Sequence, residues 1–275
     1  MIKIYSVILI LLVSISLPSC QKNKIDKLDS VNKDSPEALY KIAKQNLDNG
    51  DYENATINFN KLNSKYPLSN EGIQAKIMLT FIDYVKMDYA NAISNANLII
   101  NKYPSYKNID YVYYIKAISY YEQIKSEKLD GSTNNLALKN FEKIINLFPN
   151  SKYVIDSRQK IIAIKENIAA KHMNIALFYQ NNKKYVSAIK RYNVVINEFS
   201  TSKFAPEALH RLVEIYLTLG MVDEANKTAA VLSYNYPKSL WYEKTYELVG
   251  ETENEKTSLF SKISQFLKFD NDKKE

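Results

Sequence analysis

Several residue types that particular folds and sites require are scarce in this chain of 275 residues. It has one cysteine, so no internal disulfide is possible. Five glycines and seven prolines are too few for the many turns of a β-sandwich and favour helices. With only two histidines beside that cysteine, three or four clustered zinc ligands are not expected. The composition therefore predicts a helical protein without a zinc site or a disulfide framework.

Sequence signals of catalysis and of nucleic-acid binding are also absent. No Gly-x-Ser-x-Gly elbow and no glycine-rich phosphate loop occurs. The net charge of +7 is spread among acidic residues without a run of five or six bases, so nucleic acid is not an expected partner. Glu166, Glu198, Glu207 and Glu214 are interpreted as solvated helix faces. We expect no enzymatic activity.

A short apolar leader precedes the single cysteine. Lys3 is followed by an apolar run from Ile4 to Leu17, which has the length of a secretory signal and is too short to span a membrane. The run ends in the residues LPSC, which close with Cys20 and resemble the bacterial lipobox. That resemblance implies cleavage before Cys20, which then carries a covalent diacylglycerol and an acyl chain. The alternative is an ordinary leader that ends in cysteine.

The residues after the cysteine indicate where the anchor lies. Gln21 stands where an aspartate would retain a lipoprotein in the inner membrane, so the lipobox resemblance implies the outer membrane. Residues 1–19 are interpreted as a lipoprotein signal peptide and residues 20–34, polar and charged, as a lipidated tether. We expect a protein held at the periplasmic face by its lipid anchor alone, with no cofactor besides that lipid.

A fixed spacing organises the rest of the chain: an alanine is followed twelve residues later by a proline, or by Ser200 in the fourth copy. An aromatic residue directly precedes that position each time, and Phe59, Phe141 and Tyr192 lie four residues after their alanine. Small residues suit close helix crossings, and this pattern matches the tetratricopeptide repeat. The pairs are Ala55/Pro67, Ala92/Pro104, Ala137/Pro149, Ala188/Ser200 and Ala225/Pro237.

This period predicts an all-α fold, a curved α-solenoid of five tetratricopeptide-like helical hairpins with a concave binding side. Gly50 and Gly220 are predicted to mark turns within hairpins. Lys125–Asn135 is interpreted as a polar insertion and Asp156–Ala170 as extra helix. The repeats are placed near residues 35–69, 70–106, 107–152, 166–203 and 204–239.

Beyond the repeats we expect a closing helix from Leu240 to Val249 and a charged tail at 250–275. Apolar residues of the tail are spaced for a short amphipathic helix, which either docks or frays. They are Leu259, Phe260, Ile263, Phe266 and Leu267.

One predicted helix is dense in tyrosine. Core packing absorbs about half of such a cluster because a helix has one inward face, so the other rings are expected on the surface, where they supply binding area. Packing between repeats is the alternative for each ring. The cluster comprises Tyr111, Tyr113, Tyr114, Tyr120 and Tyr121.

Taken with the lipobox, four strings of the repeat body resemble the BamD family of outer-membrane assembly lipoproteins, over roughly residues 18 to 247. The resemblance implies binding to the POTRA domains of BamA and to unfolded β-barrel precursors, with other lipoproteins of the complex as further candidate partners. The strings are FPNSKY (148–153), YVSAI (185–189) with Arg191 and Tyr192, PEALHRLVE (206–214), and AAVLSYNYP (229–237) with Trp241 and Tyr242.

The family resemblance also implies a division of labour. Residues 35–152, repeats one to three, are expected to face the precursor, and residues 153–249, with the linking and closing helices, to face BamA. Arg191 matches an arginine at the BamA contact; a surface arginine bridging neighbouring helices is the alternative. A groove for the aromatic end of a precursor strand is predicted at Tyr40, Phe81, Tyr84 and Tyr113.

Two other functions fit a helical repeat protein of the cell envelope. A different periplasmic scaffold of this class would coordinate envelope constriction or peptidoglycan synthesis. A lytic enzyme would need a catalytic glutamate in a deep cleft and a lysozyme-like domain, for which no stretch of the chain is long enough.

Overall fold

The computed structural model describes residues 34–124 and 132–249, in which every regular element is an α-helix. This confirms the predicted all-α class. The predicted signal peptide, Cys20 and the charged tail lie outside the described residues. The eleven helices are α1 (Pro36–Asp48), α2 (Tyr52–Lys65), α3 (Asn70–Val85), α4 (Tyr89–Lys102), α5 (Ile109–Ile124), α6 (Ser132–Leu147), α7 (Val154–Asn181), α8 (Tyr185–Glu198), α9 (Ala205–Thr218), α10 (Val222–Asn235) and α11 (Leu240–Val249).

The chain divides into two compact units, with the boundary between Pro104 and Ser105. In the first unit, α1 pairs with α2 and α3 pairs with α4. In the second unit, α5 pairs with α6, α7 with α8, and α9 with α10, while α11 packs on α9 and α10. These pairs confirm the five predicted helical hairpins, and α11 has the bounds predicted for the closing helix.

The recurring alanine is a core position of every second helix. Ala55, Ala92, Ala137, Ala188 and Ala225 are all completely buried. In each second helix the residues four and seven positions after the alanine are buried as well, so the three positions form one inward stripe. The twelve-residue spacing therefore measures the distance from the helix crossing to the end of the second helix.

Each second helix ends two residues before the proline position, at a residue followed by the recurring aromatic. The Tyr66 amide still donates to the Leu62 carbonyl, and Pro67 cannot continue the helix because it has no amide hydrogen. The Ser69 hydroxyl then accepts from the Gly72 amide at 2.9 Å and caps α3. One short motif thus stops one helix and starts the next.

Four hairpin turns share one backbone conformation, in which one residue has a positive φ angle. Gly50 and Gly220 have positive φ angles of 78° and 73°, and Met87 and Lys183 occupy the equivalent position with 62° and 57°. After Lys183, the Lys184 amide donates to the Tyr179 carbonyl at 2.9 Å, which closes the preceding helix. The glycine turns are confirmed. The other two turns were not predicted, because their residues are not glycine.

Glycine in place of Lys183 is expected to raise the free energy of unfolding by about 0.5–1 kcal/mol. A left-handed L-residue costs roughly 1–2 kcal/mol, and the extra freedom of glycine in the unfolded chain offsets part of that gain. Urea unfolding of the Lys183→Gly protein measures the change. Lys183→Ala keeps the strained backbone and is the matched control, so equal stability of the two variants would contradict the explanation.

The linking segments differ in part from the prediction. Ser132 to Asn135 belong to α6, with Thr133 and Asn134 buried, so the expected polar insertion is wrong for these four residues. Residues 125–131 lie outside the described range. The extra helix predicted at Asp156–Ala170 is continuous with the first helix of the fourth repeat, and together they form the 28-residue helix α7.

Candidate partner-binding surfaces

Arg191 lies in a groove of about 400 Å³ in the second unit. Helices α6, α7 and α8 build this groove, which we call the Arg191 groove. Its polar residues come from all three helices, and Phe199 and Ile168 add apolar surface. The residues used below are Asn134, Lys171, His172, Arg191 and Glu198.

The Arg191 guanidinium has no acidic partner within the described residues, where no carboxylate oxygen lies within 4.0 Å of it. Its Nη1 atom instead donates to Nδ1 of His172 at 3.4 Å, which requires a His172 ring unprotonated at that nitrogen. Burial and then the charge of Arg191 lower the pKa of His172, which favours this neutral form. The guanidinium is held in place but keeps its capacity to pair with an anion.

A second polar group of the Arg191 groove is buried. Asn134 is only 9% exposed, and its buried Oδ1 atom accepts no hydrogen bond from any residue that the structure describes. A buried amide oxygen without a hydrogen bond costs about 1–3 kcal/mol. The groove therefore combines the Arg191 guanidinium with an apolar wall and one costly buried acceptor.

Arg211, on α9, provides a contrast, because acidic side chains of the chain itself pair with its charge. Its Nη1 donates to both carboxylate oxygens of Glu214, at 3.0 and 3.1 Å, and its Nη2 lies 3.5 Å from Glu207. His210 and Gln180 also contact the Glu214 carboxylate, at 3.3 and 3.2 Å. These residues tie α7 to α9, so the prediction that Glu207 and Glu214 are merely solvated is wrong.

Glu214→Gln is expected to destabilise the protein at neutral pH but not near pH 2. Burial alone would raise the pKa of Glu214, but hydrogen bonds from His210 and Arg211, with the Arg211 charge, lower it to about 2. The carboxylate therefore stabilises the fold fully at pH values above 4.5, the pKa of Glu214 in the unfolded chain. This stabilisation is lost as the pH falls through the folded pKa of about 2. Because the side chain is 29% exposed, we expect about 1–2 kcal/mol at pH 7.

Urea unfolding of the wild-type and Glu214→Gln proteins between pH 2 and pH 7 measures this dependence. Glu247→Gln, an exposed glutamate on α11, is the control and should match wild type at each pH. A stability gap between wild type and Glu214→Gln that stays constant over this range would contradict the assignment.

The first unit contains a larger cleft, of about 770 Å³, between α2, α3 and α4. Its lining is rich in side-chain amides. The Asn63 Oδ1 atom and the Tyr103 hydroxyl are buried and have no hydrogen-bond partner in the described parts of the chain. The Lys76 ammonium lies 5.8 Å from the centre of the Tyr103 ring. Residues of this cleft, called the amide cleft below, include Asn60, Asn63, Lys76, Asp83, Asn95 and Tyr103.

The four residues of the predicted precursor groove are half-buried and pack against other rings. Tyr40 contacts Phe59 in the first-unit core, and Phe81 and Tyr84 contact each other with ring centres 6.4 Å apart. Tyr113 belongs to the second unit and packs on Phe148 at 5.2 Å. The structure therefore brings Phe81 and Tyr84 together, and Tyr40, Phe81 and Tyr84 are outside the lining of the amide cleft.

The tyrosine cluster of α5 is also packed more fully than predicted, because all five rings are half-buried. Tyr111 and Tyr114 stack on Tyr153, with ring centres 5.5 and 4.6 Å apart. Tyr121 meets the edge of Phe141 at 6.2 Å. The expected exposed half of this cluster is not found.

The described residues contain neither a membrane-spanning helix nor a cluster of metal ligands. Across 34–124 and 132–249, no helix combines the length and apolar character needed to cross a membrane. Within the same ranges, no three histidine, cysteine or acidic side chains are grouped to hold a metal ion.

The family model and the similar proteins point to the same family. The model of a family described as outer membrane lipoprotein, YfiO, matches residues 32–232. The outer membrane protein assembly factor BamD of Rickettsia prowazekii is 38% identical, over 89% of this chain and 96% of that protein. The BamD of Caulobacter vibrioides is 34% identical, over 87% and 79%. A solved tetratricopeptide-repeat protein of Thermus thermophilus is 17% identical over 78% of this chain and 98% of its own, with a TM-score of 0.37.

Proposed function

Because the chain belongs to this family of outer membrane lipoproteins and BamD assembly factors, we propose that it acts by holding two other polypeptides, BamA and an unfolded β-barrel precursor. BamD is a non-enzymatic component of the BAM assembly complex. In the proposal, residues 153–249 bind the POTRA domains of BamA and residues 35–152 receive the precursor. Holding both promotes assembly and insertion of the precursor into the outer membrane.

The unpaired guanidinium of Arg191 is the observation that carries the BamA half of the proposal. Its planar fork pairs with a carboxylate through two parallel hydrogen bonds, which gives a contact both strength and a fixed orientation. Arg211 has already used its guanidinium on Glu214, whereas the hydrogen-bond partner of Arg191 within the described residues is His172. An acidic side chain of a POTRA domain entering the Arg191 groove therefore suits the chemistry of the site.

The amide cleft supports the precursor half. An extended, unfolded segment presents main-chain N–H and C=O groups that have no partners, and side-chain amides can bind both. The side chains of Asn60, Asn63 and Asn95 line the cleft and supply such amides. We therefore place the main chain of a precursor segment in the amide cleft, and we propose Tyr40, Phe81 and Tyr84 of the first unit, and separately Tyr113 of the second unit, as contacts for its aromatic residues.

Lipidation of Cys20 belongs to the same proposal, with residues 20–34 as the tether. A lipid-anchored chain keeps both binding surfaces next to the membrane that the precursor enters. Mass spectrometry of the mature N-terminal peptide tests this, and a peptide that starts elsewhere or carries no acyl group would contradict it.

Alanine at both Tyr84 and Tyr113 is expected to weaken binding of a peptide with a precursor's C-terminal strand sequence by about tenfold to a hundredfold. Each substitution removes a half-buried ring, and a few aromatic side chains commonly supply most of the energy of peptide binding. Fluorescence anisotropy with the labelled peptide measures the affinity. The control is Tyr234→Ala, an exposed ring of α10, and affinity unchanged in the double variant would refute the aromatic groove.

Co-purification of the full chain with isolated POTRA domains tests the BamA half directly. We expect a stoichiometric complex that high salt weakens, because a charge pair contributes to it. Failure to bind POTRA domains, together with capture of a septal or peptidoglycan-synthesis protein from the same envelope extract, would overturn the proposal.

A further inference from the structure

Glu198 gives the Arg191 groove a second charge, opposite in sign to that of Arg191. It is the last residue of α8, its side chain is exposed, and it lines the groove together with Arg191. Within the described residues, no lysine, arginine or histidine nitrogen, that of Lys171 included, lies within 4.0 Å of the Glu198 carboxylate. The described part of the chain therefore neutralises neither the cation nor the anion of this groove.

The two charges lie on one side of α8, two turns apart. Seven residues separate Arg191 from Glu198, which corresponds to about 10.5 Å along the helix axis and a rotation of only about 20°. His172 of α7 lies near both charges: burial and the Arg191 charge lower the pKa of His172, while the Glu198 charge acts in the opposite direction. The groove thus carries a positive and a negative group in a fixed order along α8.

This spacing selects the kind of surface that can pair with both charges. On an extended strand, side chains of one face are about 7 or 13 Å apart, because alternate residues point to opposite faces. Two turns of a helix, or two neighbouring elements of a folded domain, place side chains about 10 Å apart on one surface. A folded partner therefore fits the groove better than an unfolded, extended segment.

Apolar residues complete the groove beside the two charges. Ile168 and Ile175 are seven residues apart on α7 and half-buried, and Phe199 of the α8 end is 9% exposed. Apolar surface around a contact excludes water and so strengthens the charge pairs inside it. A partner seated here gains from matching both charges and loses affinity when either is left unmatched.

We propose that the Arg191 groove recognises a folded domain by two opposite charges: an acidic side chain that pairs with Arg191 and, about 10 Å away, a basic side chain that pairs with Glu198. Glu198 then determines specificity, because a surface with acidic side chains at both places is repelled there. This inference rests on the proposed function for the partner to be tested, the POTRA domains. It adds the basic residue of the partner and fixes the orientation in which the partner binds.

Charge reversal at Glu198 tests the second pair. Glu198→Lys places a like charge opposite the partner's basic side chain and should weaken binding to immobilised POTRA domains about tenfold in surface plasmon resonance. Glu247→Lys is the matched control, since Glu247 is an exposed glutamate in the last turn of α11 and does not line the groove. It should change the affinity less than threefold. Both variants should unfold at the wild-type temperature.

An exchange of the two charges separates recognition of their order from attraction by net charge. The protein with Arg191→Glu and Glu198→Arg has the net charge of wild type, but its two charges stand in reversed order. It should bind POTRA domains at least a hundredfold more weakly than wild type. Wild-type affinity of the exchanged protein, or equal affinities of Glu198→Lys and Glu247→Lys, would overturn the proposal.

Photocrosslinking from position 175 in intact envelopes separates failure of this inference from failure of the proposed function. The identity of the captured protein tests the proposed function, and its yield tests the inference. Glu198→Lys should lower the yield about tenfold and Glu247→Lys should leave it unchanged. A captured protein other than BamA with this charge dependence would overturn the proposed function and support the inference, whereas equal yields from the two variants would overturn the inference.

Discussion

Arg191→Glu is expected to weaken binding of the BamA POTRA domains by about a hundredfold. The substitution removes the guanidinium and places a second negative charge opposite the partner's carboxylate. Close charge pairs at interfaces couple by about 1.5–7 kcal/mol, and a hundredfold loss corresponds to about 2.7 kcal/mol. Surface plasmon resonance with immobilised POTRA domains measures the affinity and its dependence on salt.

Lys190→Glu is the matched control for this experiment. Lys190 is the adjacent residue of α8, carries the same charge and is exposed, but does not line the Arg191 groove. It should change affinity less than threefold, the effect of altering one screened surface charge. An Arg191→Glu protein with wild-type affinity, or one no weaker than Lys190→Glu, would show that POTRA domains bind elsewhere.

Phe59→Ala is expected to lower the free energy of unfolding by about 3–5 kcal/mol, the largest stability effect we expect from one substitution. Phe59 is fully buried in the first-unit core and lies with its ring centre 5.8 Å from that of Tyr40. Truncation leaves a cavity between α1, α2 and α3 that the neighbouring side chains fill only in part. Thermal and urea unfolding followed by circular dichroism measure the loss.

Ile57→Ala provides the control in the same helix. Ile57 is apolar like Phe59 but 58% exposed, so its truncation should change stability by less than about 0.5 kcal/mol. If both variants lost similar stability, the twelve-residue period would not identify the core.

The fold was predictable because the repeat encodes its own boundaries. Ala188 is small where two helices cross, and the proline position, Ser200 in that hairpin, follows the end of the same helix. Both features depend only on residues within one hairpin, so the same pattern recurs in each of the five hairpins. The turns at Met87 and Lys183 were not predictable, because the left-handed backbone there is imposed by the packed hairpin and not by glycine.

The packing of the tyrosines depended on distant residues and was therefore predicted incorrectly. Tyr114 of α5 stacks on Tyr153, which is 39 positions away, and donates a hydrogen bond to Asp156 at 2.7 Å. Helical periodicity says which side of a helix faces inward, but not which rings a later helix will cover.

The candidate site was predictable only in its central residue. Family resemblance singled out Arg191, whereas His172 and Asn134, on α7 and α6, join it only through the fold. The orphan amide oxygens of Asn134 and Asn63 give no sequence signal, because asparagine is common throughout this chain. Their lack of a hydrogen bond is a property of the folded structure alone.

Site-specific photocrosslinking from position 191 in intact cell envelopes tests the central claim most directly. A photoreactive residue there should capture BamA, through a peptide of a POTRA domain, and the same residue at position 190 should capture it far less. Capture at position 191 of a septal or peptidoglycan-synthesis protein, with no BamA, would contradict the account.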